Sequence, residues 1–502
     1  MNKLPTQLYS AETVARLDQI AINDHGIPGY TLMRRAGQAV LDALLEYYPD
    51  AKSILVLCGA GNNAGDGYVV ARLARAHGLN VRLVSMIEPC KLTGDARQAW
   101  QHWQECGETT LYGPDFAADA DVIIDALLGT GLTREVADDW KALIKTVNQS
   151  GIPVIAVDIP SGLNADTGAI SGAAIDAENT VTFIGLKKGM FTGSGKACCG
   201  EIRFDDLQLP RQAYESVEPD AELLCRPAQW SLPKRRHDIH KGRNGHVLVI
   251  GGNHGMPGAI MLAARAALRA GAGLVSVVTR PQHISAVAAA CPEAMVHASH
   301  NGEVNPGLLD KADYIAIGCG LGQDAWAQRL LHLALDSNIP MVVDADALNL
   351  MAARDQLGLT RECVITPHPG EASRCLNLNK RDGQHDRFQM VELLRQQCSA
   401  HIVLKGSGTL IRQQEHTLVC PFGNPAMATA GMGDVLTGMI ASLAAQQTVI
   451  GEDLNRAVIA AVCLHAIAGD LAAQGDDRGL MATDLIEHIR KAARWQREWP
   501  LS

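Results

Sequence analysis

Aromatic residues are scarce in this chain: 4% of 502 residues, as seven Trp, eight Tyr and six Phe. A core without them must be filled by Val, Ile, Leu and Ala, as in parallel sheets covered by helices. Basic charge is also in deficit, with 44 Lys and Arg against 54 Asp and Glu and a formal net charge of -10. That balance argues against nucleic acid as the main partner, because neutralising a phosphate backbone needs a basic face. It leaves room for local phosphate binding by backbone N–H groups. No apolar run approaches the ~18 residues that cross a bilayer, so no membrane span is expected. Residues 1–13 lack the apolar centre of a secretory leader. None of the 13 cysteines forms a Cys-x-x-Cys pair, and Cys198 and Cys199 are merely adjacent. Unspaced, they read as small buried hydrophobes in a reducing compartment. These absences lead to the expectation of a cytoplasmic globular protein.

What is present is rhythm. Leu32, Met33, Ala36, Val40, Leu44 and Leu45 recur at helical spacing, so the first ~50 residues read as helices ended by Pro49. Strands and helices then alternate. Residues 54–57, 81–84, 122–124 and 154–157 read as strands, with a helix near 141–147. From about Gln208 to Asn244, prolines, charges and the basic run Lys234-Arg235-Arg236-His237 replace apolar periodicity. The basic run reads as a solvated linker. Placing the boundary here predicts domains over 1–215 and 225–502. Alternation then restarts, with strands at 247–250, 274–278, 314–317, 341–343, 364–366 and 402–404 and a helix at 259–270. The last third reads as helices over 434–445, 454–473 and 483–494. The implied fold class is α/β: two domains, each a mostly parallel sheet covered by helices on both faces.

Ligands of open α/β sheets gather outside the carboxyl ends of the strands. Three strands of the first half end in polar turns: Gly59-Ala-Gly-Asn-Asn-Ala-Gly-Asp-Gly67, Asp125-Ala-Leu-Leu-Gly-Thr-Gly131 and Val157-Asp-Ile-Pro-Ser-Gly-Leu163. The first is not the dinucleotide fingerprint and has no Walker lysine. Taken singly, it could be an ordinary strand–helix turn, and Asp125 or Asp158 a helix cap. Three such turns in one sheet weaken that reading. Asn63, Asp125 and Ser161 together offer oxygen ligands suited to a hard cation.

Together these segments resemble the NAD(P)H-hydrate epimerase family over nearly the whole first half. The resemblance implies a Rossmann-like domain with a K⁺ site at Asn63, Asp125 and Ser161, and catalysis by Asp158. It implies substrate contacts at Asn62, Asn63, Ala64, Gly65 and Asp66, at Gly129, Thr130, Gly131, Leu132, Thr133, Arg134 and Glu135, and at Asp158. Many relatives carry Gly where Ala64 stands.

The strongest motif of the second half is Asn424-Pro-Ala-Met-Ala-Thr-Ala-Gly-Met-Gly-Asp-Val-Leu-Thr-Gly438. A Gly-rich turn runs into a helix expected to begin at Asp434. Its N–H groups form an anion hole, and a carboxylate at its mouth is placed as a general base for phosphoryl transfer. The bland alternative is a capping Asp. Lys405-Gly-Ser-Gly-Thr409, Thr366-Pro-His-Pro-Gly-Glu371, Val343-Asp-Ala-Asp-Ala-Leu-Asn349 and Ile317-Gly-Cys-Gly-Leu-Gly322 each follow an expected strand. This set resembles the ribokinase-like fold and, within it, the ADP-dependent NAD(P)H-hydrate dehydratases, over about 244–494. The resemblance implies nucleotide contacts at Lys405, Gly406, Ser407, Gly408, Thr409 and Gly433. It implies substrate contacts at Ala259, Gly320, Gly322, His368 and Asp434, with Asp434 catalytic. The family usually has Pro where Cys319 stands.

The function implied is repair of hydrated NADH and NADPH (NADHX and NADPHX). The first domain would interconvert the two epimers. The second would dehydrate the S epimer, using ADP with Mg²⁺. Two rivals remain open: a vitamin-precursor kinase related to hydroxyethylthiazole kinase, and a non-enzymatic scaffold of the kind found in mRNA-decapping assemblies. Oligomeric state is not written in the residues; a homo-oligomer is the expectation.

Overall fold

A computed structural model describes residues 4–132, 134–352, 357–378, 386–450 and 453–498. The chain divides into two compact units, one reaching Leu223 and the other starting at Leu224.

The first unit holds strands Gln7–Tyr9 (β1), Ser53–Cys58 (β2), Asn80–Ser85 (β3), Thr109–Leu111 (β4), Val122–Ala126 (β5), Val154–Val157 (β6), Asn179–Phe183 (β7), Leu186–Lys187 (β8), Glu201–Asp205 (β9) and Ala221–Leu223 (β10). Its main sheet runs β4-β3-β2-β5-β6-β7-β9, and all neighbours are parallel. Alternate residues explain why the strands read as continuous apolar runs. Ile54, Val56 and Cys58 pack with helices Gly29–Tyr47, Asn62–Ala76 and Gly94–Gln104, whereas Leu55 and Leu57 pack with helix Asp138–Gln149. β1 lies between β8, parallel, and β10, antiparallel.

The second unit holds His246–Ile250 (β11), Leu274–Thr279 (β12), Met295–Ala298 (β13), Tyr314–Ile317 (β14), Met341–Val343 (β15), Val364–Ile365 (β16), His401–Leu404 (β17), Thr409–Arg412 (β18) and Thr417–Cys420 (β19). They run β13-β12-β11-β14-β15-β16-β17-β18-β19. Pairing is parallel as far as β17, then antiparallel through β18 and β19. One core cluster joins the sheet to helices Pro257–Ala270, Met432–Ile450, Leu454–Ala473 and Ala482–Glu498.

In each sheet the strand order reverses once, between β2 and β5 and between β11 and β14. The crevice outside such a switch point is where ligands of this architecture bind.

One sequence expectation needs correction. The helix after the second Gly-rich turn begins at Met432, so Asp434 lies inside its first turn rather than at its start. One helix, Leu454–Ala473, is long and apolar enough to cross a membrane, with mean hydropathy 1.6. The sequence reading placed a helix over these residues, and His465 and Asp470 interrupt its apolar run. Since 78% of its apolar window is buried, it reads as a core helix of the second unit.

Candidate active sites

In the first unit, the carboxyl ends of β2, β5 and β6 surround a cavity of about 560 Å³. Asn62, Asn63 and Asp66 enter it from the start of helix Asn62–Ala76; Gly129, Thr130, Gly131, Leu132 and Arg134 enter from the turn after β5. Close approach makes this possible. A Cβ on Gly59 would lie 1.8 Å from the Leu127 carbonyl oxygen, and one on Gly67 would lie 2.6 Å from Ala126 Cβ. Ala64 and Gly65 are buried in the helix, and Gly65 faces Met33. Glu135 packs by Gly172 and does not line the cavity. Thr133 lies outside the described residues.

Asp158 sits at the mouth of β6 with φ 67°, a left-handed conformation unusual for a side-chain-bearing residue. Its Oδ1 accepts from the Phe183 N–H at 3.1 Å and is ion-paired with Lys187 Nζ. Lys187 is fully buried and also donates to Thr182 Oγ1 at 3.0 Å and the Phe183 carbonyl at 3.1 Å. A buried ammonium needs such partners. Among the described residues no hydrogen bond reaches Asp158 Oδ2, and Asp158 lines the cavity. Asp18 and Asp66 also line the cavity. Burial, then the neighbouring Asp158, raises both carboxyl pKa values, that of Asp66 well above the usual range. Sequence reasoning missed Lys187 and Asp18. A lysine at the end of the apolar segment 181–186 was the available signal.

Asp125 and Ser161 are fully buried beside this cavity. Ser161 Oγ donates to Asp125 Oδ1 at 2.6 Å and its N–H to Oδ2 at 2.8 Å. Burial still dominates and lifts the Asp125 pKa to about 6. Asn63 lies against Gly129, and neither its amide oxygen nor its amide nitrogen has a hydrogen-bond partner among the described residues. An orphaned buried amide is an open demand for a ligand. The donor set fits a monovalent cation. Among the described residues no cluster of three His, Cys, Asp or Glu offers the charge a tight divalent site needs.

In the second unit, Asp344 ends β15 as Asp158 ends β6. It is buried, ion-paired with Lys405 Nζ at 2.5 Å, and accepts from Thr437 Oγ1 at 2.8 Å. The next residue, Ala345, has φ 45°. Lys405 also lies 3.8 Å from Glu371. A Cβ on Gly433 would lie 3.4 Å from Lys405 Nζ, so the Lys405 and Gly431–Asp434 segments meet. Asp434 contacts the Cys319 thiol; burial, then Asp344, raises its pKa to about 6. Gly320 stacks on Ala259, with a hypothetical Cβ 3.1 Å from Ala259 Cβ, and Gly322 approaches Asn253. His368 Nδ1 accepts from Gly370 and Glu371 N–H and caps helix Pro369–Cys375, which also holds Glu371 near Lys405. Lys405–Thr409 forms the turn between β17 and β18. Buried Arg387 donates to the carbonyls of Leu404, Lys405 and Ser407 beneath it. Arg387 is a further residue that the motifs did not single out, and they did not reveal that Asp344 pairs with Lys405.

Comparison with known proteins follows the same division. A family model described as YjeF-related protein N-terminus matches residues 29–189, and one described as NAD(P)H-hydrate dehydratase matches 247–491. A bifunctional NAD(P)H-hydrate repair enzyme of Coxiella burnetii is 44% identical over 493 residues, covering 97% of this chain and 99% of the relative. This chain belongs to the bifunctional NAD(P)H-hydrate repair enzymes. The Escherichia coli member is 40% identical, covering 97% of this chain and 94% of its own. Among solved structures, the ADP/ATP-dependent NAD(P)H-hydrate dehydratase of Bacillus subtilis, co-crystallised with ATP and Mg²⁺, is 31% identical. It covers 54% of this chain and 95% of its own, with TM-score 0.48. The repair family places an epimerase in the first unit and a dehydratase in the second, and is supported over the vitamin-kinase rival.

Proposed function

We propose that the two sites divide the repair of a nicotinamide ring hydrated at C6. In the epimerase, Asp158 handles the proton of the C6 hydroxyl as it leaves and returns on the other face, helped by the lone pair of the adjacent ring nitrogen. The observation that carries this is the Asp158–Lys187 pair at the cavity wall: Lys187 is bonded to Oδ1, which leaves Oδ2 for the proton transfer. Asn63, Asp125 and Ser161 would hold K⁺, which when bound supplies fixed positive charge for phosphate or ribose oxygens. Asn62 and Asn63, in the first turn of a helix, orient the same oxygens through their N–H groups.

In the dehydratase, ADP is the phosphoryl donor. Asp434 takes the proton of the C6 hydroxyl while its oxygen bonds to the β-phosphorus, and the bond to the bridging oxygen breaks to release AMP. The ring nitrogen then expels phosphate from C6. Loss of a proton from C5 restores the dihydropyridine. Asp344 is committed to Lys405 and Thr437, so Mg²⁺ would travel on the nucleotide phosphates rather than in a protein cage. Lys405–Thr409 and Gly433 face the nucleotide; Ala259, Gly320, Gly322 and His368 line the substrate side. Eleven of thirteen cysteines are buried and all are free, which suits the cytoplasm.

One experiment tests the whole reading. Chemically hydrated NADH is given to the protein with ADP, then with ATP, and absorbance of the reduced ring is followed. Return of absorbance with ADP, and release of AMP and phosphate, supports it. A stable phosphorylated product would favour the kinase instead.

A further inference from the structure

Helix Leu454–Ala473 is apolar enough to be a core helix, and 78% of its apolar window is buried. Past its first turn it carries, besides the thiol of Cys463, two polar side chains, His465 and Asp470. Each costs free energy in such a place unless it is bonded. Both bond to the stretch that leads from β19 through the Gly431–Asp434 turn, Asp470 at its start and His465 at Met432, the first residue of the following helix.

His465 Nε2 lies 3.0 Å from the Met432 carbonyl oxygen. A carbonyl only accepts, so Nε2 carries the proton. Burial holds the imidazole neutral, its pKa lowered to about 4. Asp470 grips the other end. Its Oδ2 accepts the Gly423 N–H at 3.0 Å, and its Oδ1 accepts Asn424 Nδ2 at 2.8 Å. Asn424 Oδ1 in turn accepts the Ala426 N–H at 3.0 Å. Between them, Met427 from the middle of the loop packs on Gly469, where a Cβ would lie 2.4 Å from its Sδ. Residues 465 and 469 are one turn apart on the same face, and 470 adjoins them.

The loop needs holding. Gly423 and Gly431, near its ends, have φ of 98° and 88°, and glycine leaves such backbone free to rotate. An anion hole works only when its N–H groups are aimed before charge arrives. We propose that this helix face is a clamp that presets the phosphate-binding turn of the dehydratase, with His465 and Asp470 as positioning residues acting through the loop. The inference rests on the reading of Gly431–Asp434 as the turn that meets the phosphates.

The full chain tests it, with ADP KM, kcat for the S epimer, melting temperature and epimerisation rate measured on each variant. His465→Leu removes the donor and is expected to raise the ADP KM and lower kcat, together by roughly tenfold or more. His465→Gln restores an N–H of similar reach and should recover most of the loss. Asp470→Asn sets an N–H against another donor and should show the same defect. Adding Asn424→Asp reverses donor and acceptor, so the double variant should recover. Epimerisation should stay at the wild-type rate throughout. Near-wild-type KM and kcat in His465→Leu and Asp470→Asn, with only the melting temperature lowered, would overturn the clamp, as would failure of the swap to rescue. Asp434→Asn separates the two levels. If it is inactive while the clamp variants are normal, the clamp alone fails; if it turns over normally, the reading beneath it fails.

Discussion

Asp158 is held by contacts that its own segment does not supply. Its positive φ aims the side chain out of the strand, and Lys187, from a later strand, fixes one oxygen. Asp158→Asn keeps the shape and removes the proton shuttle. The expected outcome is a loss of epimerisation of about 10²-fold or more, with dehydration of the S epimer unchanged. Separate assays on the two epimers check it. Asn63 makes a second residue-scale prediction. Its unpartnered amide is the ligand expected to be most sensitive to removal, so Asn63→Ala should abolish the gain in epimerisation when K⁺ replaces a bulky organic cation. A K⁺ response that survives the substitution would count against the site. Asp434 is predicted through its pKa. Burial lifts it to about 6, so the carboxylate is protonated as pH falls through that value. Dehydration kcat should therefore fall below about pH 6. Asp434→Asn should lack that acid limb while turning over at least ~10²-fold more slowly. A merely structural Asp would instead lower stability and leave the limb in place.

At the scale of the element, the turn between β17 and β18 depends on Arg387. Its guanidinium gathers three backbone carbonyls, and burial lowers its pKa to about 10. Charged hydrogen bonds of this kind fix a loop more firmly than neutral ones. Arg387→Met keeps much of the apolar stem and strips the three carbonyls of their donor. The expected result is a lower melting temperature and a raised nucleotide KM, with kcat at saturating nucleotide less affected. Titration of KM against kcat on the purified variant decides whether the loop or the chemistry was touched. Helix Asn62–Ala76 shows the same dependence in another form. It can start inside the Gly-rich turn because Gly67 lets it lie against Cys58 and Ala126 of the sheet.

At the scale of the whole molecule, the two units repeat one device. A strand-end aspartate is paired with a lysine from later in the chain, Asp158 with the buried Lys187 and Asp344 with the half-buried Lys405 just after β17. The two units also differ in where they can be separated. β10 pairs with β1, so a first unit cut at Leu209 would lose the strand that covers its N-terminal one. Cutting between Leu223 and Leu224 should give one piece that epimerises and one that dehydrates. Loss of both activities in both pieces would sink that expectation.

The sequence by itself determined the local alphabet of this protein. Apolar runs marked most central strands of both sheets, because residues buried on both faces leave an unbroken signal. Gly-rich turns after those runs marked Asp125, Asp158, Lys405–Thr409 and Asp434. The signal failed where strands were short, at an edge or polar, as at Thr109–Leu111 and Glu201–Asp205. Only the tertiary structure decided who stands beside whom. Lys187 with Asp158, Arg387 beneath the hairpin, and His465 and Asp470 with the stretch before Asp434 are pairings between residues 17 to 47 positions apart. Periodicity records which way a side chain faces within its own element, whereas partners across elements are set by sheet order and helix packing, which leave no mark at either residue alone.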